Sequence, residues 1–108
     1  MTVTADPLPE VDVFAALRLA AEGAVLIDVR EPEEWAEGHI AHARHRPLGR
    51  LSLADVPAGP VVMVCRSGNR SGQATRALVA AGRDDVVNMT GGMLAWARAG
   101  LPITPAGA

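Results

Sequence analysis

The chain has 108 residues, of which 49% are hydrophobic and 20% are charged, and its formal net charge is −2. This length suits one compact domain, and no apolar run approaches the roughly 20 residues needed to span a bilayer. The single cysteine excludes an internal disulfide framework. The first residues have neither the basic start nor the apolar stretch of a secretory signal. We therefore expect a cytoplasmic protein without membrane contact.

The basic residues are distributed unevenly along the chain, and all ten are arginines. Residues 1–60 carry ten acidic side chains and five arginines, whereas residues 61–108 carry two and five. No run of like charge is long enough for a nucleic-acid arm, and only three aromatic residues are available to stack on bases. This balance favours a small anionic ligand held by the second half of the chain, and no nucleic-acid partner is expected.

Apolar runs typical of buried strands alternate with segments of helical periodicity. The runs at 24–29 and 61–64 are continuously apolar, which is typical of strands covered on both faces. Between them lie capping residues, glycines and prolines that mark helix ends and turns. The elements predicted in chain order are a loose lead-in over 1–10, a helix over 13–22, a strand over 24–29, a short helix over 31–38, an edge strand over 40–46, a connection over 48–60, a strand over 61–64, a helix from about 70 to 81, a strand over 86–89 and a helix over 93–99.

The first helix has a predicted cap and a predicted buried face. Asp12 is suited to the N-cap, and Gly23 is suited to the left-handed position after the helix. Phe14, Leu17 and Ala21 recur at helical spacing and are expected to share one face.

Strands that alternate with helices predict a parallel sheet with helices on both faces. Ligands of such sheets bind beyond the carboxyl ends of the strands. Asp28-Val29-Arg30 and the segment 65–71 both fall at such ends, which makes this edge the predicted site. Asp28 in particular ends an apolar strand and needs a partner, which the cationic loop could supply.

The segment 65–71 joins a buried strand to the start of a helix. Free backbone amides at a helix start and in a tight loop form a cradle for anions, and Gly68 permits the positive φ angle that such a loop requires. Together with the guanidinium groups of Arg66 and Arg70, these donors favour the thiolate of Cys65, so we predict a lowered pKa and a nucleophile. A small buried hydrophobe is the alternative for a lone cysteine, but the polar, cationic residues that follow favour the nucleophile.

The length of this loop limits which group the Cys65 nucleophile can take up. A cysteine phosphatase loop has five residues between its cysteine and its arginine, whereas Arg70 leaves four and position 71 is a serine. The tighter ring is too small for a tetrahedral phosphoryl group but large enough for one extra sulfur atom. A disulfide relay within the chain is excluded because there is no second cysteine.

Four sequence blocks resemble the single-domain rhodanese sulfurtransferases, in the order and spacing of that family. The strongest block is the loop itself, Cys-Arg-Ser-Gly-Asn-Arg-Ser. The blocks are residues 26–35 (Leu-Ile-Asp-Val-Arg-Glu-Pro-Glu-Glu-Trp), 37–40 (Glu-Gly-His-Ile), 65–71, and 91–96 (Gly-Gly-Met-Leu-Ala-Trp) followed by 99–102 (Ala-Gly-Leu-Pro).

The resemblance implies a rhodanese-like α/β fold with a mostly parallel five-stranded sheet and helices on both faces. It places the domain at 11–103, followed by a short tail at 104–108. It implies a sulfurtransferase in which Cys65 takes sulfane sulfur from thiosulfate or a similar donor as a persulfide. The acceptor would be a thiol, cyanide or a protein. A sulfur carrier or regulatory module without turnover, loaded by a partner protein, would use the same loop.

The resemblance also assigns roles to individual residues, with no metal and no organic cofactor. Asp28 would accept hydrogen bonds that brace the loop, and Arg30 would pair with neighbouring acids. Arg66 and Arg70 would bind the sulfonate end of the donor, and backbone amides would stabilise the persulfide. The residues expected to bind the substrate are Arg66, Ser67, Gly68, Asn69, Arg70 and Ser71.

Other noticeable residues receive structural interpretations. The run Arg44-His45-Arg46 is unusually cationic for the family; it is expected to be a solvated edge strand, with a docking surface as the alternative. His39, His42 and His45 stand three apart, which places the middle one on the opposite face of a strand and argues against a metal site. Residues interpreted as packing or solvated are Trp35 and Trp96 (packing), His39 (a hydrogen bond near a helix end) and Glu33, Glu34 and Glu37 (a solvated helix face).

Overall fold

A computed structural model describes residues 8–105 of the chain. Five parallel strands form one sheet in the order β1-β5-β4-β2-β3. The strands are β1 (Glu10–Val11), β2 (Val25–Asp28), β3 (Arg44–His45), β4 (Val61–Val64) and β5 (Val86–Met89), and the helices are α1 (Val13–Ala21), α2 (Pro32–Glu37), α3 (Asn69–Ala80) and α4 (Gly92–Arg98). Two 3-10 turns, Leu48–Arg50 and Leu53–Asp55, lie in the predicted connection. The predicted α/β class and sheet are confirmed, and every strand pair is parallel.

Helices cover both faces of the sheet, as predicted. Successive side chains of a strand point to opposite faces, and β4 follows this rule. Val62 and Val64 pack in the cluster that contains Trp96 of α4 and Ala16 of α1. Val61, Met63 and Cys65 pack in the cluster that contains Leu78 of α3. The side chain of Cys65 therefore lies on the α3 side of the sheet.

The buried face of α1 differs from the predicted one. The cap is as expected, since the Asp12 carboxylate accepts a hydrogen bond of 2.8 Å from the Ala15 amide. However, Val13 and Ala16 are buried, while Phe14 and Leu17 are 57% and 36% exposed. Both faces of this helix are apolar and have helical periodicity. The side with Val13 and Ala16 packs in the core cluster against the sheet, so the predicted face was wrong.

The ends of the described chain take part in pairing. Glu10, assigned to the lead-in by the sequence, belongs to β1, which is held against β5 by bonds such as Asn88 N–H to the Pro9 carbonyl. Thr104, in the predicted tail, forms an antiparallel bridge with His39. The rest of the predicted lead-in and tail, residues 1–7 and 106–108, lies outside the described residues. The domain boundaries stay a prediction.

The cationic edge forms a short strand at the margin of the sheet. Arg44 and Arg46 are exposed, whereas the ring of His45 stacks on Trp35 with ring centroids 4.6 Å apart. His39 stacks on the same tryptophan at 3.6 Å, and its Nδ1 lies 2.9 Å from the Trp35 carbonyl. Both histidines are thus packing residues, as is the buried Trp96.

Residues 8–105 contain neither a cluster of metal-ligating side chains nor a helix that could span a membrane. No group of three or more His, Cys, Asp or Glu side chains in this range is arranged to hold a metal ion. None of the helices described there is both long enough and apolar enough to cross a membrane. The cytoplasmic location stays a prediction.

Candidate active site

Cys65 stands directly after β4, and the following loop curls over its sulfur. Gly68 adopts a φ angle of 100° as the N-cap of α3, a conformation that favours glycine. Its backbone N–H donates a hydrogen bond of 3.0 Å to the Cys65 Sγ. Ser71, in the first turn of α3, places its Oγ 3.2 Å from the same sulfur. Cys65 is 1% exposed, so the sulfur is buried among hydrogen-bond donors as well as apolar side chains.

The backbone carbonyls of Cys65 and Arg66 accept hydrogen bonds from the start of α4. The N–H of Met93 donates to the Cys65 carbonyl at 2.8 Å, and the N–H of Leu94 donates to the Arg66 carbonyl at 3.0 Å. These amides belong to the first turn of α4, where a helix has no internal acceptors for them. The Ser67 N–H shares a peptide group with the Arg66 carbonyl, so the bond from α4 also orients this amide.

The balance of these contacts lowers the pKa of Cys65. Burial of the sulfur raises this pKa, but hydrogen bonds lower it by more, so the pKa lies below the ordinary thiol value. This direction agrees with the expectation from the sequence. The donors are the Ser71 hydroxyl and the backbone N–H groups of Ser71, Gly68 and Ser67.

Arg70 makes a contact that the sequence analysis missed. Its Nη1 and Nη2 donate to the two carboxylate oxygens of Glu34, at 2.6 and 2.7 Å. The hydrogen bonds from Arg70 are the main reason why the pKa of Glu34 falls to about 2, while partial burial opposes them. Glu34 also accepts from the Glu31 amide in a capping box at the start of α2. It is therefore not part of a solvated face, and Arg70 is already paired with a carboxylate.

Asp28 is buried at the end of β2, but its partner is not the loop. Its carboxylate accepts from Nε and Nη2 of Arg30 at 2.9–3.0 Å and from the Arg30 amide. Arg30 also donates to the carbonyl of Glu34, within α2, and to that of Gly38, at its C-cap. Arg30 thus pairs with a neighbouring acid, and none of these contacts of Asp28 comes from the loop 65–71, so its support of that loop stays a prediction. Asp28 binds Arg30, and Arg30 in turn binds the backbone of α2, the helix that carries Glu34.

The remaining predicted residues lie on the outer surface of the loop. Arg66, Ser67 and Asn69 are exposed, and the guanidinium of Arg66 makes no hydrogen bond to another of residues 8–105. Arg66 is thus the loop cation that is free to meet an anion. A cavity of about 330 Å³ borders this side of the loop, lined by Ser67, Gly68 and Asn69 with Glu10 and Arg76 among others.

Asn88 is a second residue that the sequence analysis missed. It lies on β5, is 1% exposed, and its Oδ1 is 2.5 Å from the Ser71 Oγ. Its Nδ2 donates to the Gly68 carbonyl at 3.1 Å. The signal available in the sequence was a polar amide inside the apolar run at 86–89, on the face of β5 that alternation assigns to α3.

Known proteins resemble this chain in sequence and in structure. The rhodanese-like domain family matches residues 12–99. An uncharacterized protein of Synechocystis is 42% identical over 84 residues, covering 75% of this chain and 47% of that protein. Thiosulfate sulfurtransferase GlpE of Pseudomonas entomophila is 41% identical over 86 residues, covering 75% and 77%. The crystal structure of a rhodanese-related protein from Thermoplasma volcanium aligns with a TM-score of 0.78 and 27% identity, covering 89% and 97%.

The fold and the site together define an α/β protein with one cysteine in a cradle of amides at the carboxyl edge of a parallel sheet. The family match, which extends over most of the chain, gives this class its name: the chain belongs to the rhodanese-like family. It spans about half of the Synechocystis relative and about three quarters of GlpE.

The close approach of α4 to the loop makes Gly92 sensitive to substitution. Gly92 has a φ angle of +56°, and a Cβ there would collide with the carbonyls of Cys65 and Arg66. We expect Gly92→Ala to lower the free energy of unfolding by about 3 kcal/mol or more. Gly100, with φ +73° and open space around it, is the control; Gly100→Ala should cost only about 1–2 kcal/mol. Equal losses in urea denaturation would contradict this account.

The pairing of Glu34 with Arg70 predicts a pH-dependent stability difference. The folded pKa of Glu34 is about 2, against 4.5 for an unperturbed group, so the ion pair stabilises the protein above pH 4.5 and is lost as the pH falls towards 2. For this partly exposed pair we expect Glu34→Gln to cost about 1 kcal/mol at pH 7, with the difference from wild type shrinking across that interval. Glu33→Gln, which removes an exposed charge from the same turn, is the control. A difference that does not change with pH in urea titrations would contradict the pairing.

Proposed function

We propose that the protein is a thiosulfate sulfurtransferase that carries sulfane sulfur as a persulfide on Cys65. The observation that carries the proposal is the set of donors around the sulfur: the Gly68 amide at 3.0 Å and the Ser71 hydroxyl at 3.2 Å. Membership of the rhodanese-like family and the likeness to proteins named sulfurtransferases support it. Thiosulfate as the donor, and the persulfide itself, belong to the proposal.

In the first step the Cys65 thiolate attacks the outer sulfur of thiosulfate. A sulfur–sulfur bond to Cys65 forms as the sulfur–sulfur bond of thiosulfate breaks, and sulfite leaves with the electron pair. The product is a Cys65 persulfide whose terminal sulfur carries the negative charge. Backbone N–H groups fixed before the reaction stabilise such a charge without reorganisation.

In the second step a nucleophilic acceptor attacks the terminal sulfur and restores the Cys65 thiolate. Cyanide would give thiocyanate, and a thiol or a protein cysteine would give a new persulfide. Neither step needs a metal, an organic cofactor or an external oxidant, because the electron pairs balance between donor and acceptor.

Arg66 and Arg70 are proposed to attract the donor anion to different extents. Arg66 is exposed and free of protein partners within residues 8–105, so its full charge is available. The two terminal nitrogens of Arg70 are occupied by Glu34, which offsets its charge. Arg66 is therefore the main donor-binding side chain, and Arg70 contributes mainly by fixing the loop against α2.

A sulfur carrier without turnover is the second candidate, and two observations favour it. Pairing with Glu34 neutralises one of the two cations expected to bind a small anion, and Cys65 is only 1% exposed. A carrier would receive sulfur from the persulfide of another protein. The loop chemistry would be the same in both cases, so only the source of the sulfur separates them.

Intact-protein mass spectrometry after incubation with thiosulfate tests the proposal. We expect wild-type protein to gain one sulfur atom, to lose it on addition of cyanide, and to form thiocyanate in steady state. Cys65→Ser should gain no sulfur and keep its thermal unfolding transition, because a hydroxyl nearly matches the thiol in size. Arg66→Ala should raise the KM for thiosulfate about tenfold, the loss of one charge-assisted hydrogen bond, and Arg70→Ala by a smaller factor.

Two outcomes would overturn the proposed enzyme. Sulfur transfer that persists in Cys65→Ser would refute the persulfide on this residue. A wild-type protein that never turns over thiosulfate, yet gains one sulfur atom from a partner protein's persulfide, would establish the carrier instead. If neither arginine variant changes KM, the donor is bound by backbone amides alone.

A further inference from the structure

The Ser71 hydroxyl has one proton and two nearby acceptors. Its Oγ lies 3.2 Å from the Cys65 Sγ and 2.5 Å from the Asn88 Oδ1. Ser71 is fully buried and Asn88 is 1% exposed, so water does not supply a second donor from the surface. A serine hydroxyl donates only one hydrogen bond, although it accepts others. The sulfur and the amide oxygen therefore compete for the same proton.

The orientation of the Asn88 amide is fixed by its other contacts. Nδ2 lies 3.0 Å from the Glu10 carboxylate and 3.1 Å from the Gly68 carbonyl, which are both acceptors. Only the NH₂ group can satisfy two acceptors at once, so the oxygen must face Ser71. Parallel pairing of Glu10 with Asn88 in register places the carboxylate beside this amide.

The two protonation states of Cys65 require different positions of the hydroxyl proton. In the thiol, the S–H donates to the Ser71 oxygen while the Ser71 hydroxyl donates to Asn88, and every group is satisfied. In the thiolate, the hydroxyl turns to the sulfur, and the buried Asn88 oxygen loses its donor. A buried acceptor without a partner is unfavourable. The contact with Asn88 therefore favours the thiol.

We propose that Asn88 is a positioning residue whose amide oxygen competes with the Cys65 sulfur for the Ser71 proton and so limits ionisation of the nucleophile. Asn88 acts through Ser71, because the sulfur accepts hydrogen bonds from Gly68 and Ser71 and not from Asn88 within residues 8–105. This role of Asn88 rests on the proposed function, in which the thiolate is the attacking group. It does not depend on thiosulfate, since it concerns the free enzyme.

Removal of the Asn88 amide leaves its other partners satisfied. The Gly68 carbonyl still accepts the Gly72 amide at 3.0 Å, and the Glu10 side chain is exposed to water. Any effect of an Asn88 substitution on ionisation of Cys65 is therefore transmitted through the Ser71 hydroxyl. The charged groups on the loop and on the neighbouring elements, which stay unchanged in the comparison, are Arg66, Arg70, Arg76, Glu34, Glu10 and the Asp28–Arg30 pair.

The pH dependence of Cys65 alkylation by iodoacetamide tests this competition, and the single cysteine makes the signal specific. Asn88→Leu should move the midpoint of the profile to lower pH and speed alkylation about threefold on its acid side, because a larger thiolate fraction outweighs the lower nucleophilicity of a more acidic thiol. Asn88→Ala serves the same purpose if leucine does not fit. Ser71→Ala should move the midpoint to higher pH, and Ser71→Ala/Asn88→Leu should match Ser71→Ala alone.

Thr75→Val is the matched control, because its buried hydroxyl donates to the Ser71 carbonyl at 2.8 Å without touching the Ser71 hydroxyl. It should leave the midpoint in place. A midpoint that is unchanged or higher in the Asn88 variants would overturn the proposal, as would an Asn88 effect that persists without the Ser71 hydroxyl. Both readings are independent of sulfur transfer, so they remain valid even if the protein does not use thiosulfate.

Discussion

A peptide group presents a hydrogen-bond donor on one side and an acceptor on the other. Ionisation of Cys65 depends on which side the peptide groups of the loop turn towards its sulfur. The Arg66 carbonyl is bound by the first turn of α4, and this bond orients the Ser67 N–H of the same peptide group, which is one of the amides that act on the sulfur. Burial by itself would hold the sulfur in its neutral form, and only the surrounding donors reverse that preference. The position of α4 is therefore as much a part of the site as the loop.

The polar side chains near this edge are buried but not unpaired. Asp28 is matched by Arg30, and Asn88 is matched by Ser71, Gly68 and Glu10. Across residues 8–105 no buried side-chain nitrogen or oxygen lacks a partner. A network of this kind fixes the geometry of the loop before a substrate arrives.

The sequence was sufficient to predict the features that depend on residues close together in the chain. The apolar runs of β2 and β4, the Gly68 conformation and the position of Cys65 at a strand end are local, and the structure has them. The partners of Arg70 and Asp28 are different, because they depend on where α2 lies against the loop. Glu34 is 36 residues from Arg70, and an acidic helix turn looks the same in sequence whether it meets water or an arginine. The face of α1 was ambiguous because both sides of that helix are apolar.

Carbon-13 NMR of protein labelled at the Cβ of its one cysteine, recorded across a pH titration, measures the ionisation of this sulfur most directly. We expect one titrating resonance with its midpoint below the value of an ordinary thiol, and a higher midpoint once urea has unfolded the loop. A folded-state midpoint at or above that of the unfolded chain would mean that burial outweighs the amides and that the site does not stabilise the thiolate.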